Sequence, residues 1–265
     1  MALSRDAYIE QPSPIEPNLL ALFDRTAALV IFDIGSCEGE DSIRYARLFP
    51  ASRVFAVEPL PANVERIKTN IERYECSNVE VVPYAFSDRA GHSTFHVSSG
   101  TPPDAPPDAD WEYGNKSSSL LAPDRHLEVH PWVRFDEEME VDTETLDGFC
   151  AKHGIERIDL MHLDVQGAEL MVLGGAFRML PRTTAIWLEV ERIPLYRDQP
   201  LVSDVERFMA GQGFRRTKQR VDRVSGDQLY VRADLATRGS GIGAWPAGIG
   251  TWLRRAASRF RGGAS

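Results

Sequence analysis

The segment Leu29–Asp41, LVIFDIGSCEGED, limits what this chain can fold into more than any other. Leu29–Ile34 is apolar except for Asp33 and shows no polar–apolar alternation. A run of that kind predicts a strand covered on both faces, as in a parallel sheet. Gly35 and Gly39 follow, and then a helical period over Ser42–Phe49 that stops at Pro50. The rhythm returns at once. Arg53–Val57 (RVFAV) predicts a strand ending at Glu58, Ala62–Tyr74 a helix, and Val79–Tyr84 (VEVVPY) a third strand. Strands alternating with helices predict an α/β fold whose parallel sheet is built from right-handed crossovers.

The rest of the chain is arranged around that unit. Residues 1–16 are polar and contain prolines, which predicts a surface segment; Pro17–Ala28 has helical spacing with a proline suited to a first turn. Beyond Asp88 the rhythm breaks: His92–Val97 alternates like an edge strand, and residues 99–117, rich in Ser, Gly, Pro and Asp, predict a long mobile loop. Parallel order resumes with helix Leu146–His153, strand Ile158–Asp164, helix Ala168–Met179, strand Thr184–Glu189 and helix Ser203–Gln212. Phe214–Asp222 and Gln228–Ala233 predict a terminal antiparallel hairpin. The chain therefore divides into an N-terminal extension with a helix over 1–28, a principal domain over 29–237 with an insertion at about 98–140, and a basic amphipathic tail over 238–265.

Composition narrows the partners. A formal net charge of −9 speaks against nucleic acid. Cys37, Cys76 and Cys150 are widely spaced with no CxxC pair, which argues against a disulfide framework or a structural zinc, and no metal is expected. The first residues lack the apolar run of a signal peptide, and no stretch approaches the roughly 20 apolar residues of a spanning helix, so the expected location is cytoplasmic.

Four strand ends carry chemistry. In Asp33-x-Gly35-x-x-x-Gly39 the glycines let the backbone turn sharply and approach a ligand, helix N-terminal amides favour an anion such as a methionyl carboxylate, and the acid can hold an ammonium. Cys37 stands where GxGxxG has its second glycine, which disfavours a pyrophosphate; a purely structural turn is the alternative. Glu58 ends the next strand, where an acid accepts ribose hydroxyls, unless it is simply solvated. In Ala85–Asp88 (AFSD), Phe86 can border an adenine face, and Ser87 or Asp88 can bond its exocyclic amine; a core Phe and a turn Asp are the bland reading. In Ile158–Glu169 (IDLMHLDVQGAE), His162 and Asp164 share one side of a strand. They suit a general base with an orienting acid, a metal site with Glu169, or a satisfied histidine beside an N-capping aspartate.

In this order, IFDIGSCEGEDS, FAVEPLPANVERI, VVPYAFSD, VDTETLDGF, IDLMHLDVQGAELMVLGGA and AIWLEVE resemble the FkbM family of S-adenosylmethionine-dependent methyltransferases, over roughly residues 30–195. The resemblance implies a class I methyltransferase Rossmann-like fold: a seven-stranded, mostly parallel sheet whose last strand is antiparallel. It implies S-adenosyl-L-methionine as cofactor, contacted by Asp33, Gly35, Gly39, Glu58 and Asp88, with Asp164 near the methyl group. It also implies as acceptor a hydroxyl on a sugar, glycolipid or polyketide-like metabolite. Two departures stand out. Ser36 and Cys37 replace the Ala and Asn of the family's D-x-G-A-N-x-G, and His162 and Gln166 replace the Lys and Glu of its K-x-D-V-E-G-A-E.

From this follow the expectations for mechanism. An acceptor hydroxyl must be aligned with the cofactor's methyl group and give up its proton; His162 is the expected base, with Asp164 as its orienter or as the base itself. The insertion is a candidate substrate lid, with Trp111, Tyr113 and Trp132 stacking on a sugar or, equally, anchoring the insertion. In the tail, Ile249, Trp252, Leu253, Ala256 and Phe260 share a helical face flanked by Arg254, Arg255, Arg259 and Arg261. That pattern resembles a surface helix for anionic membranes, the alternatives being a helix packed on its own domain or a partner, or a disordered end. Two rival functions stay open: an NAD-dependent oxidoreductase and a non-catalytic methyltransferase-like binding module. The sequence does not give the oligomeric state.

Overall fold

Each apolar run becomes a buried strand in a computed structural model of the protein, which describes residues 4–103, 105 and 111–233. The elements in chain order are α1 (Arg5–Glu10), α2 (Glu16–Leu22), β1 (Val30–Ile34), α3 (Glu40–Leu48), β2 (Arg53–Val57), α4 (Pro61–Arg73), β3 (Val79–Val82), β4 (Ala85–Phe86) and β5 (Gly91–Ser99). They continue as α5 (His126–Val129), β6 (Arg134–Glu144), α6 (Leu146–Lys152), β7 (Ile158–Leu163), α7 (Glu169–Gly174), β8 (Thr183–Glu191), α8 (Val202–Gly211), β9 (Phe214–Val221) and β10 (Ser225–Arg232).

The main sheet has seven strands in the order β3-β2-β1-β7-β8-β10-β9. Strands β1, β2, β3, β7 and β8 pair in parallel, and β10 runs antiparallel to both β8 and β9. The terminal hairpin is therefore present, and the fold is the α/β class I methyltransferase arrangement. On one face, Phe32 stacks on Phe55 at 4.6 Å within an apolar layer that includes Phe86, Phe149 and residues of α6, α7 and α8. On the other, Ile31, Val54 and Leu160 pack against α2 and α3. Side chains alternate across a strand, so Asp33 shares the second face with Ile31. Its register partner on β7 is His162.

A three-stranded sheet, β4-β6-β5, carries the insertion. Residues after Trp111 return along β5, with a bridge between His96 and Ser119. Pro123 then bridges to Tyr196, beyond β8. The inserted segment thus crosses the end of the main sheet where the parallel strands finish.

Two expectations change. The described part of the N-terminal segment, from Ser4, does not lie wholly on the surface: Arg5, Ile9, Ser13 and Ile15 are buried. The reason is long-range, because Arg5 Nε donates to Glu38 at 2.8 Å, and an ion pair leaves no local apolar period to read. The helix expected over Ala168–Met179 ends at Gly174. Its end is dictated by close approach, since a Cβ on Gly175 would lie 2.1 Å from the Ser87 carbonyl oxygen. Part of the expected mobile loop, and the whole tail with its membrane-surface pattern, lie outside the described residues. Among the described residues no helix is long and apolar enough to cross a membrane.

Candidate active site

A cavity of about 190 Å³ opens where the C-terminal ends of β1, β2 and β7 meet. Ligands in open α/β sheets bind at this edge. The loop after β1 reaches it through a tight turn. Gly35 has φ +84°, and a Cβ there would lie 1.9 Å from the Asp164 carbonyl oxygen, so this position excludes any side chain. The amides of Gly35 and Ser36 both donate to the Val57 carbonyl at 3.0 Å, which ties the turn to β2. Glu58 then links the two loops: its carboxylate accepts from the Cys37 amide at 3.0 Å and the Leu60 amide at 2.9 Å. Burial pushes the Glu58 pKa up to about 8, although both amides pull the other way. Gly39 is different. It caps α3 at φ +84° with its open side facing Ile67 of α4, and it does not line the cavity.

Asp33 and His162 form the floor. Their strands place them side by side, with His162 Nδ1 3.0 Å from Asp33 Oδ1. Ser42 Oγ donates to the other Asp33 oxygen at 2.6 Å. Burial disfavours the imidazolium, but the Asp33 carboxylate outweighs it and holds the His162 pKa up at about 9. His162 is thus a cation at neutral pH, committed to Asp33.

Asp164 does not orient His162, which corrects the expected pair. Its carboxylate is exposed at the cavity mouth and accepts from Gln166 Nε2 at 2.6 Å. The same amide nitrogen donates to Glu189 at 2.7 Å, while Gln166 Oε1 accepts from the Tyr196 hydroxyl at 3.2 Å. Gln166 is therefore a neutral bridge between two carboxylates, and a glutamate there would bring a third like charge into contact. Glu169 lies behind this group and caps the turn by accepting from the Val165 amide at 3.1 Å. Among the described residues no cluster of three or more His, Cys, Asp or Glu is arranged to hold a metal ion.

The third strand end divides the remaining candidates. Phe86 lines the cavity and also packs on Phe149, with ring centroids 5.4 Å apart. Ser87 and Asp88 stand outside the cavity wall. The Ser87 amide donates to the Glu144 carbonyl at 2.9 Å, and Asp88 pairs with Arg89 at 3.3 Å. The cause is β4, which leaves the main sheet to pair with β6 and carries these residues away.

The sequence profile of the methyltransferase FkbM domain matches residues 33–216. The chain belongs to the FkbM methyltransferase family. The 2-O-methyltransferase NoeI of Sinorhizobium fredii is 36% identical over 170 residues, covering 64% of this chain and 66% of that protein. Methyltransferase 1 of Beauveria bassiana is 25% identical over 146 residues, 55% of this chain and 57% of that one. The 31-O-demethyl-FK506 methyltransferase FkbM of Streptomyces tacrolimicus is 25% identical over 218 residues, 79% of this chain and 82% of that one. The match therefore spans just under two thirds of the first relative's length and 57% of the second's.

S-adenosylmethionine is the cofactor of the FkbM methyltransferase family, and the chemistry of the cavity fits that group. The cofactor carries a sulfonium and an ammonium against one carboxylate, so it is net cationic. Among the described lining residues, Asp33, Glu40, Asp41 and Asp164 are acids besides Glu58, whose proton burial retains, against the cations Lys116 and His162. Such a wall attracts a cationic ligand and repels the pyrophosphate of a dinucleotide. Two groups of wall residues escaped the motif reading of this FkbM chain. Tyr8 belongs to α1, for which no local signal existed. Asn115 and Lys116 lie four and five residues beyond Trp111, the aromatic that did flag the segment.

Proposed function

We propose that this protein transfers the methyl group of S-adenosylmethionine to a hydroxyl oxygen of a sugar, glycolipid or polyketide-like metabolite. The observation that carries the proposal is Asp164, an exposed carboxylate at the mouth of an acid-lined cavity. When bound, the cofactor supplies a methyl group activated on a sulfonium sulfur. Glu58 and Phe86 would hold its nucleoside part, and the turn at Gly35 its methionyl part. Asp164 accepts the acceptor's hydroxyl proton, and Gln166 keeps its carboxylate aimed by a 2.6 Å bond. His162 does not take that proton, because the Asp33 ion pair keeps it charged. Two relatives named for O-methylation, NoeI and the FK506 enzyme, support oxygen as the acceptor atom.

The test incubates the full chain with methyl-labelled cofactor and a panel of glycans, glycolipids and polyketide alcohols, reading the product by mass spectrometry. An alkali-stable ether methyl on one acceptor class is the expected product. Label in an alkali-labile ester or on nitrogen would refute the hydroxyl reading. Cofactor binding with no transfer to any class would favour a binding module.

A further inference from the structure

The family profile begins at residue 33, yet part of the cavity wall comes from before it. Tyr8 of α1 lines the same cavity as Asp33 and Glu58. Its hydroxyl donates to Asp41 at 2.7 Å, its ring lies 4.2 Å under the Arg44 guanidinium, and the Trp111 ring is 5.5 Å away. The ring is thus fixed from three sides while staying partly open to the cavity. The apolar anchoring of α1 falls to its neighbour Ile9, which is buried.

Among the contacts that hold α1, which include Arg47–Glu10 and Arg73–Asp6, one carboxylate is fully buried. That carboxylate, Glu38, sits directly after Cys37 in the cofactor turn and accepts from Arg5 Nε at 2.8 Å. The same carboxylate accepts from Arg66 of α4 at 2.6 Å and from Asn115 of the insertion at 3.3 Å. Three segments distant in sequence therefore close around the cavity on a single charge. With Tyr8 and Trp111 side by side, α1 and the insertion together contribute to its wall.

We propose that α1 is part of the cofactor site: Tyr8 is a positioning residue that retains S-adenosylmethionine, and the Arg5–Glu38 pair holds Tyr8 over the cavity. The proposal rests on the methyltransferase reading above and extends it to a segment outside the family domain. Arg44 covers one face of the Tyr8 ring, so what the ring offers the cofactor is the apolar contact of its remaining surface. The Arg5–Glu38 pair makes that contact depend on the conformation of the turn itself.

The test uses the full chain. Calorimetry gives the Kd for S-adenosylmethionine in the unaltered protein and in Tyr8→Ala, Tyr8→Leu, Arg5→Ala and Arg5→Lys; unfolding without ligand serves as the control. Tyr8→Ala should raise Kd about tenfold, the scale of a lost aromatic contact. Arg5→Ala should do the same, and Arg5→Lys should recover most of the loss. The KM for cofactor should rise with Kd, while the KM for acceptor holds. An unchanged Kd in Tyr8→Ala, or a change no larger than the lost folded fraction explains, overturns the proposal. If Tyr8→Ala does not fold, Tyr8→Leu decides by the same criterion, since it keeps part of the apolar bulk for folding and removes the ring's surface. Should the unaltered chain bind no S-adenosylmethionine, the methyltransferase reading fails and this proposal with it.

Discussion

His162 and Asp164 stand two residues apart but face different charges. His162 is buried against Asp33, and Asp164 is in the open beside Gln166. Removing each should therefore cost something different. Asp164→Asn deletes the proton acceptor and nothing that holds the fold, so turnover should drop about a hundredfold or more with cofactor Kd nearly unchanged. His162→Ala leaves the Asp33 carboxylate, which is 2% exposed, without its cation. Breaking a buried pair from one side typically costs about 3 kcal/mol, so denaturant unfolding should show the loss directly. His162→Lys should recover most of it, because an ammonium replaces the imidazolium beside Asp33. If His162→Ala instead unfolds like the unaltered protein but turns over slowly, His162 is the base and the assignment to Asp164 is wrong.

At the scale of elements, the inserted segment is tied down more firmly than its composition suggests. The amides of His96 and Ser119 exchange bonds with each other's carbonyls at 2.8 and 3.1 Å, and Tyr196 donates to the Ser117 carbonyl at 2.7 Å. Lys116 pairs with Glu40 at 2.7 Å and lies 4.3 Å over the Trp111 ring, while Trp111 Nε1 donates to the same Glu40 carboxylate. Of these anchors, those of Lys116 and Trp111 run to Glu40, just beyond the cofactor turn. Lys116→Ala should therefore raise the cofactor Kd and speed hydrogen exchange at the Ser117 and Ser119 amides, with β1 amides still protected. A change confined to acceptor affinity would restore the substrate-lid reading. The same contrast explains what the sequence disclosed. Strands β1, β2 and β7 were legible because each is a mainly apolar run ending at a turn or an acid. Asp33, Glu58 and Asp164 could be nominated because ligands collect at such ends. The Asp33–His162 pair was hidden because it depends on β7 inserting beside β1, a matter of sheet order that no local period encodes. Ser87 and Asp88 were misplaced for a similar reason: the two-residue β4 follows β6, not β3. Helix α1 escaped because charge, not an apolar stripe, buries it.

Across the whole molecule, the cavity and its rear wall concentrate acids that folding strips of water. Burial pushes Glu58 up to about 8, Glu169 to about 7 and Glu191 to about 9, from an ordinary value of 4.5, and Asp164 repels the last two further. Each folded-state pKa lies above its unfolded one, so the folded protein holds these protons more tightly. The stability they contribute is complete below about pH 4.5 and drains away as pH rises through about 7 to 9. His162, raised to about 9 by Asp33, acts in the same direction, since its ion pair is lost as the imidazolium deprotonates. All four groups therefore predict that the midpoint of urea unfolding of the ligand-free protein falls steadily between about pH 5 and pH 9. Glu191→Gln should flatten the upper part of that decline by removing one of the groups that titrate at about 9. S-Adenosylmethionine should flatten it as well, because a cation in the cavity favours ionised Glu58, and its stabilising effect should grow with pH. A midpoint that rises over this range would mean that these carboxylates are ionised and well paired in the free protein. The acid-lined cavity would then owe nothing to a cationic ligand.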